Sequence, residues 1–365
     1  MKKLGFGCMR LPLTDPNDNG SIDYEETSKM IDYFMANGYS YFDTAYVYHN
    51  KQSEIALREC LVKRYPRDSF TITTKLFLHE LKSIEDAEKM FEEQLVKLGV
   101  DYIDYYWPHA ISREKQDVVN GLNIFDFVLK KKAEGKVKHV GFSFHDTAEM
   151  LDDILTKHPE MEFVQLQLNY LDWNSPSVQA KQCYDVCVKH GKPVVVMEPV
   201  KGGVLANLPK EAEDNFKNYN PDVSCASWAL RYAAGLDNVF MVLSGMSNYE
   251  QMVDNVKTFN NLSKLNEEEE EIIKKNVLII QNKNRIPCTA CRYCQAGCPM
   301  NIAIPDYFDL ANNKKRKGKY TDLLNAGFGK ASDCIKCGAC ETVCPQHLPI
   351  RDYLEDIIVK EYEED

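Results

Sequence analysis

Residues 288–345 open with CTACRYCQAGCP and close with CIKCGACETVCP. Eight of the thirteen cysteines fall in these two runs, each C-x2-C-x2-C-x3-C-P: Cys288, Cys291, Cys294 and Cys298 before Pro299, then Cys334, Cys337, Cys340 and Cys344 before Pro345. Three thiols at two-residue intervals wrap one corner of a cubane, while a fourth thiolate arrives from elsewhere. Two 4Fe-4S clusters are the expected occupants. Structural zinc uses separated cysteine pairs rather than runs of three closed by Cys-Pro. A disulfide framework belongs to exported chains, and half-cysteines this close serve metals better.

The two runs resemble those of two-cluster ferredoxins, in which the fourth cysteine of each run binds the other cluster. That resemblance implies one cluster on Cys288, Cys291, Cys294 and Cys344, and a second on Cys334, Cys337, Cys340 and Cys298. The spacer between the runs is longer than in compact bacterial ferredoxins and resembles the helical variety, with a short helix expected over Pro305 to Asn312. The segment KKRKGK, Lys314 to Lys319, reads as a solvated basic loop. Its sharper reading is a docking patch for an acidic ferredoxin or flavodoxin-like electron carrier.

The rest of the chain, 365 residues with 44% hydrophobic content, is long enough for a large domain ahead of this small one. A net charge of −11 argues against general attraction to nucleic acid. No stretch is long and apolar enough to cross a membrane, and the start, MKKLGFGCMRLP, has no apolar run behind its lysines. A cytoplasmic protein is expected, in a reducing compartment that suits iron-sulfur chemistry.

Over residues 1–260, short apolar strand-like runs alternate with amphipathic helical stretches, the signature of a parallel α/β fold. A first strand is expected near Leu4 to Met9, and others ending near Thr44, Lys75, Pro108, Ser143, Gln167, Met197 and Ser244. Helices are expected over Tyr24 to Asn37, Glu54 to Arg64, Ile84 to Leu98, Asp117 to Glu134 and Ser247 to Phe259. Gly38, Gly99, Gly135 and Gly191 stand at helix ends, where a left-handed cap favours glycine. Eight such units make a (β/α)8 TIM barrel. The fold class is therefore α/β, a barrel with a charged closing helix over residues 1–282, followed by a small, mostly helical ferredoxin-like domain over 283–365.

YFDTAYVYHNKQSE, TITTKL, DYIDYYWPHA and KHVGFSFH resemble successive segments of the aldo/keto reductase family, and with the cysteine tail the whole chain resembles its ferredoxin-domain branch. The family's catalytic tetrad falls on Asp43, Tyr48, Lys75 and His109. The chemistry is coherent: an adjacent ammonium lowers the pKa of a phenol otherwise near 10. Lys75 is expected to act so on Tyr48, Asp43 to hold Lys75, and His109 to orient a substrate carbonyl. His49 and His145 are spare candidates, and Tyr46, Tyr48, Trp107 and Trp173 are candidate aromatic walls.

The resemblance further implies a cofactor set of Ser143, Gln165, Met197, Ser244, Gly245, Ser247, Gln251 and Asn255. Here the pattern departs from the family, since Phe144 stands where an Asn follows the Ser, and Met197 where an aromatic residue stacks on the nicotinamide. No Lys or Arg occurs between Ser247 and Asn255, so a preference for a 2′-phosphate lacks its basic partner. NADH, NADPH or a flavin phosphate fits equally. Three readings stand: an iron-sulfur oxidoreductase acting on a small carbonyl or alcohol with the clusters relaying single electrons, an NAD(P)H-dependent reductase with structural clusters, and a non-enzymatic electron-transfer or redox-sensing module. The complete tetrad favours an oxidoreductase. The remaining cysteines, including the Cys183/Cys187 pair, read as buried small hydrophobes.

Overall fold

The computed structural model describes residues 2–16, 18–283, 285–312 and 317–363. Contacts group the chain into two compact units that interleave along the sequence. One comprises Met1–Ser175, Gln179–Val200 and Ala226–Leu265; the other comprises Pro176–Val178, Lys201–Cys225 and Asn266–Asp365. Among the described residues no helix is long and apolar enough to cross a membrane.

The first unit is built on parallel strands β1 (Leu4–Gly7), β2 (Tyr41–Asp43), β3 (Thr71–Leu76), β4 (Ile103–Pro108), β5 (Val137–Val140), β6 (Phe142–Phe144), β7 (Val164–Gln167), β8 (Val194–Met197) and β9 (Val239–Gly245). Their order around the sheet is β5-β4-β3-β2-β1-β9-β8-β7-β6. The two ends of that order, β5 and β6, are consecutive pieces of one strand interrupted at Gly141, so the sheet curls into a (β/α)8 barrel. Only glycine fits at that join, since a Cβ on Gly141 would lie 2.4 Å from the carbonyl oxygen of Phe163.

Strand alternation decides what faces inward. Tyr41, Trp107, Phe163, Val195, Met241 and Leu243 form a buried cluster of their own, apart from the larger core between sheet and helices. Gly5 has room for no side chain there, since a Cβ would meet Leu243 at 2.7 Å and Tyr41 at 3.1 Å. Two residues beyond Tyr41 comes Asp43, and two beyond Trp107 comes His109, so the same inward face delivers these two to the C-terminal rim, while Tyr48 lies in the turns that follow β2.

The helices follow their sequence signals closely where caps are strong. Ile84–Leu98 starts on a capping box between Ser83 and Asp86 and ends on left-handed Gly99 (φ 68°); a cap of this kind is worth about 1 kcal/mol. The other three expected glycine caps, Gly38, Gly135 and Gly191, also carry positive φ. Three expected spans differ. The stretch expected as Asp117 to Glu134 is two helices, Gln116–Gly121 and Ile124–Ala133, broken at left-handed Asn123 (φ 50°). Glu54 to Arg64 is a short α-helix, Ser53–Leu57, that widens into a π-helical turn, Arg58–Val62. The first strand stops at Gly7, and Cys8–Arg10 is a 3-10 turn.

In the second unit the helix Ile304–Asn312 matches the expectation within one residue. It packs Tyr307 and Phe308 into a core with Ile286, Ile302, Ile350 and Leu354. The two cysteine runs share a backbone pattern. Ala290 and Lys336, Arg292 and Gly338, and Asn301 and His347 stand at equivalent positions of the two runs, and all have positive φ. Residues 314–316 of the basic segment Lys314 to Lys319 lie outside the described residues.

Candidate active site and cysteine centres

Lys75, fully buried in β3, organises the barrel rim. Its Nζ donates to Asp43 Oδ1 and to the carbonyl oxygen of Thr44, each at 2.7 Å. It also lies 4.9 Å from the ring centroid of Tyr48 and 5.3 Å from that of Trp107. Burial pushes the Lys75 ammonium down and the Asp43 carboxyl up, and each charge opposes the shift of the other. Tyr48 meets His109 edge-on, with ring centroids 5.9 Å apart. The four tetrad residues thus converge.

His109 is buried, and its pKa is held well below the ordinary imidazole value by burial first, then by the charges of Lys75 and Lys115. It is therefore neutral near pH 7, with one N–H to donate and one nitrogen to accept. Among the described residues, His109 Nδ1, Asp43 Oδ2 and Trp107 Nε1 are buried without a hydrogen-bond partner. Unpaired buried polar atoms are costly, and their gathering at a barrel rim marks a place for a polar ligand or water. Lys115, which donates to the Ala110 carbonyl at 2.9 Å, is pushed down to about 8 by burial. The rim around His109 is thus cationic.

Of the expected cofactor residues, Ser143, Gln165, Met197, Ser244 and Gly245 lie on four consecutive strands, β6 to β9, whereas Ser247 follows β9 and Gln251 and Asn255 lie on the helix Tyr249–Asn260. Ser143 and Gln165 are register partners, as are Gln167 and Met197. Ser143 Oγ accepts from the Ala110 amide at 2.6 Å, which ties it to the loop that carries His109. Asn255 Nδ2 donates to Ser244 Oγ at 2.8 Å, and the Ser247 amide donates to Gln251 Oε1 at 2.8 Å. The helix Tyr249–Asn260 is capped by Asn248, which accepts from the Gln251 amide. Sequence reasoning missed Arg10, because the 3-10 turn that carries it, just after β1, is remote in sequence from Gly245. In space Gly7 pairs with Gly245, and a Cβ on Gly245 would touch the Arg10 side chain at 3.3 Å.

Several candidates are structural. His49 Nε2 accepts from the Leu11 amide at 3.0 Å, so Nδ1 carries the proton and donates to the Asn19 carbonyl at 2.8 Å. Tyr46 donates to Glu93, and Trp173 packs on Tyr184 and Tyr232. Cys183 and Cys187 lie in the barrel core.

A second buried acid lies behind the tetrad. Glu54 Oε1 accepts from Thr74 Oγ1 at 2.7 Å and from Gln94 Nε2 at 2.8 Å, and Gln94 also donates to the Lys75 carbonyl at 3.0 Å. Glu54 Oε2 is buried without a partner, and burial raises the carboxyl from 4.5 to about 7 against the hydrogen bonds that lower it. The native state keeps this proton up to about pH 7, whereas the unfolded chain releases it near 4.5, so stability falls as pH rises across that window. The shift corresponds to about 3 kcal/mol. Glu54→Gln is expected to flatten that slope and to be the more stable protein at pH 8. Urea melts at pH 5 and pH 8 measure it, and parallel losses in both proteins would exclude Glu54 as the source.

In the second unit the eight motif cysteines line two separate hollows. Cys288, Cys291, Cys294 and Cys344 surround the first; Cys298, Cys334, Cys337 and Cys340 surround the second. Backbone amides turn toward the sulfurs: Ala290 donates to Cys288 Sγ at 3.4 Å, and the amides of Leu348, Gln346 and His347 bond the Cys344 sulfur. Four thiols around a hollow, with N–H groups directed at them, are the donor chemistry of a cubane cluster. Each hollow also has a guanidinium paired with a carboxylate, Arg292 with Asp306 and Arg351 with Glu341.

Comparison with known proteins agrees with both halves. The 4Fe-4S dicluster domain matches residues 287–348. Among curated proteins, the NADH-specific methylglyoxal reductase of Escherichia coli (strain K12) is 25% identical over 326 residues, covering 72% of this chain and 95% of that one. Probable aldo-keto reductase 1 of Glycine max is 28% identical over 227 residues, covering 57% of this chain. The chain spans about 60% of the length of that soybean relative and of the glyoxal reductase of Bacillus subtilis (strain 168). Among solved structures, the holo form of an aldo-keto reductase from Bacillus halodurans superposes with TM-score 0.58 at 25% identity, over 75% of this chain and 91% of that one. An aldo-keto reductase from Klebsiella pneumoniae in complex with NADPH has the same fold, with TM-score 0.57 at 18% identity, over 75% of this chain and 90% of that one. With residues 3–277 matched as well, this chain belongs to the aldo/keto reductase family.

Proposed function

We propose that this chain is an oxidoreductase that reduces a small carbonyl compound at the barrel rim, or oxidises the corresponding alcohol, with Tyr48 as the proton donor and a nicotinamide as the redox partner. The observation that carries this reading is the buried Lys75–Asp43 pair with the Tyr48 ring against its ammonium and neutral His109 beside it. A bound nicotinamide supplies hydride, two electrons at once. The residues do the rest. Lys75 stabilises a phenolate form of Tyr48 and so eases transfer of its proton to a developing alkoxide. Asp43 keeps Lys75 charged and in position. His109, held neutral, donates a hydrogen bond that orients the carbonyl oxygen. Ser143, Gln165 and Met197 would hold the nicotinamide ring, and Ser244, Gly245, Ser247, Gln251 and Asn255 the phosphate end, with Arg10 as a basic partner from the turn after β1. The names of the E. coli and B. subtilis relatives direct the first trials to methylglyoxal and glyoxal.

In the second unit, Cys288, Cys291, Cys294 and Cys344 would hold one 4Fe-4S cluster, and Cys298, Cys334, Cys337 and Cys340 the other, each exchanging single electrons. Since a nicotinamide does not readily divide its electron pair, the reductase chemistry rests on the barrel residues alone. The test is an anaerobic assay with NADH and with NADPH against both carbonyls. Carbonyl-dependent loss of nicotinamide absorbance is the expected result, and no loss with either cofactor would sink the reading. Bleaching of the visible iron-sulfur band by nicotinamide alone would instead favour electron passage between the two halves.

A further inference from the structure

The loop after β4 carries more than His109. Residues 110–115 run beside the end of β6 and the turn that follows it. The Ile111 amide donates to the Ser143 carbonyl at 2.7 Å, the His145 amide to the Ile111 carbonyl at 2.9 Å, and the Arg113 amide to Asp146 Oδ2 at 2.7 Å. The 3-10 turn Arg113–Lys115 ends the loop, and Lys115 reaches back along it to donate to the Ala110 carbonyl at 2.9 Å. A part-buried ammonium is thus held at the residue next to His109. One of its three donors is used there, and two remain.

The charge of Lys115 reaches the imidazoles around the barrel mouth. After burial and Lys75 it is the next cause that lowers His109, and after burial it is the cause that lowers His79. Phe77 stands between those two rings, with centroids 5.7 Å from His79 and 6.2 Å from His109. Carboxylates on the adjoining segments are engaged elsewhere: Asp43 with Lys75, Glu80 with Lys51, and Asp146 with the amide and guanidinium of Arg113. Among the described residues no carboxylate stands within ion-pair distance of Lys115. Only Glu114, which is exposed, opposes the fall of its pKa to about 8. On the same strand and loop, buried His109 Nδ1 and Trp107 Nε1 lack partners. A desolvated cation without its anion, beside unpaired polar atoms, is the complement of an anionic group on a ligand.

We propose that the substrate is an oxo acid, with its carbonyl at Tyr48 and His109 and its carboxylate bound by the Lys115 ammonium. This rests on the carbonyl reduction proposed above and names the substrate class of that site. Hydride from the nicotinamide forms the new C–H bond, Tyr48 gives the proton to oxygen, the nicotinamide is oxidised, and the carboxylate leaves unchanged. Lys115 therefore sets specificity. Its charge is present below about pH 8 and lost above it, whereas a substrate carboxylate stays ionised across that range. Of the groups that face it, His79 and His109 are held below the usual imidazole value and are neutral there, and Glu114 and Arg113 keep their charges. His145 is an imidazole, whose ordinary value also lies below pH 8.

The test compares two pairs of aldehydes that differ in charge at the far end, glyoxylate against glyoxal and succinic semialdehyde against butanal. Each is assayed anaerobically with the full-length protein and nicotinamide. The native protein is expected to favour the acid of at least one pair in kcat/KM by about 10- to 100-fold, the contribution of one hydrogen bond to a charged group, carried mostly by KM. Lys115→Met is expected to bring that ratio close to one, and Lys115→Arg to keep it. In the native protein the ratio is expected to fall as pH rises through about 8. A purely structural Lys115 predicts parallel losses on both members of a pair, and that result would overturn the proposal. So would a preference for the acid that survives Lys115→Met, or a native preference for the neutral member of both pairs. If Lys115→Met does not fold, the pH profile of the native ratio decides, and a ratio that is flat across pH 7 to 9.5 overturns the proposal. Turnover of the neutral aldehydes alone removes the substrate class and leaves the reductase standing; turnover of none of the four removes the reductase itself.

Discussion

Tyr48→Phe lowers kcat/KM for carbonyl reduction by about 10²–10⁴-fold, the contribution of a positioned general acid, and leaves the fold intact. The ring stays. It keeps its edge against His109 and its face toward Lys75, so only the proton donor is lost. Lys75→Met is a less clean probe of the same chemistry. It removes the ammonium that compensates Asp43, a carboxylate only 3% exposed, and breaking a buried pair in this way destabilises by about 3–5 kcal/mol. Part of its lost activity is then lost protein. Asp43→Asn placed on top of Lys75→Met should restore much of the stability and none of the activity, a separation that a thermal melt beside the assay makes visible. Unchanged turnover in Tyr48→Phe, with carbonyl reduction by the native protein established, would remove Tyr48 as the acid.

What could be read from the residues in order was whatever repeats locally. The barrel was legible because strand-like runs and helical stretches alternate, and because a left-handed glycine at a helix end is a local signal, as at Gly99. The break at Asn123 was not, because apolar residues continue across it: Val118, Val119 and Leu122 on one side, Ile124, Phe125 and Val128 on the other. Periodicity records which face is buried, not whether the helix is continuous. The Glu54 network was equally hidden, since Glu54, Thr74, Gln94 and Tyr106 lie on four elements and no spacing links them. Arg10 was overlooked for the same reason. The grouping of Lys201–Cys225 with the cysteine runs is also a long-range fact, signalled in sequence only by the paired glycines after Lys201. Among candidate site residues, those at strand ends were found from sequence, whereas those that act through another side chain required the fold.

The fourth cysteine of each run offers the sharpest genetic test, because the two hollows pair it with the opposite run. If Cys344 serves the cluster of Cys288, Cys291 and Cys294, then Cys291→Ala and Cys344→Ala damage the same cluster. The double variant should retain about four irons per chain, as each single variant does, against about eight in the native protein. Cys291→Ala combined with Cys298→Ala strikes both hollows and should leave neither cluster intact. Uncrossed ligation predicts the reverse, with Cys291 and Cys298 behaving as one unit and Cys291 and Cys344 as two. Iron and sulfide analysis of the three single and two double variants distinguishes the schemes without any assay of turnover. The grouping of the cysteines favours the crossed result: Cys344 and Gln346 stand in the wall of the first hollow, and Cys298 in that of the second. Cys344 lines the first hollow beside Cys288, Cys291 and Cys294, the run from which it is separated in sequence, and the double variants read that pairing directly.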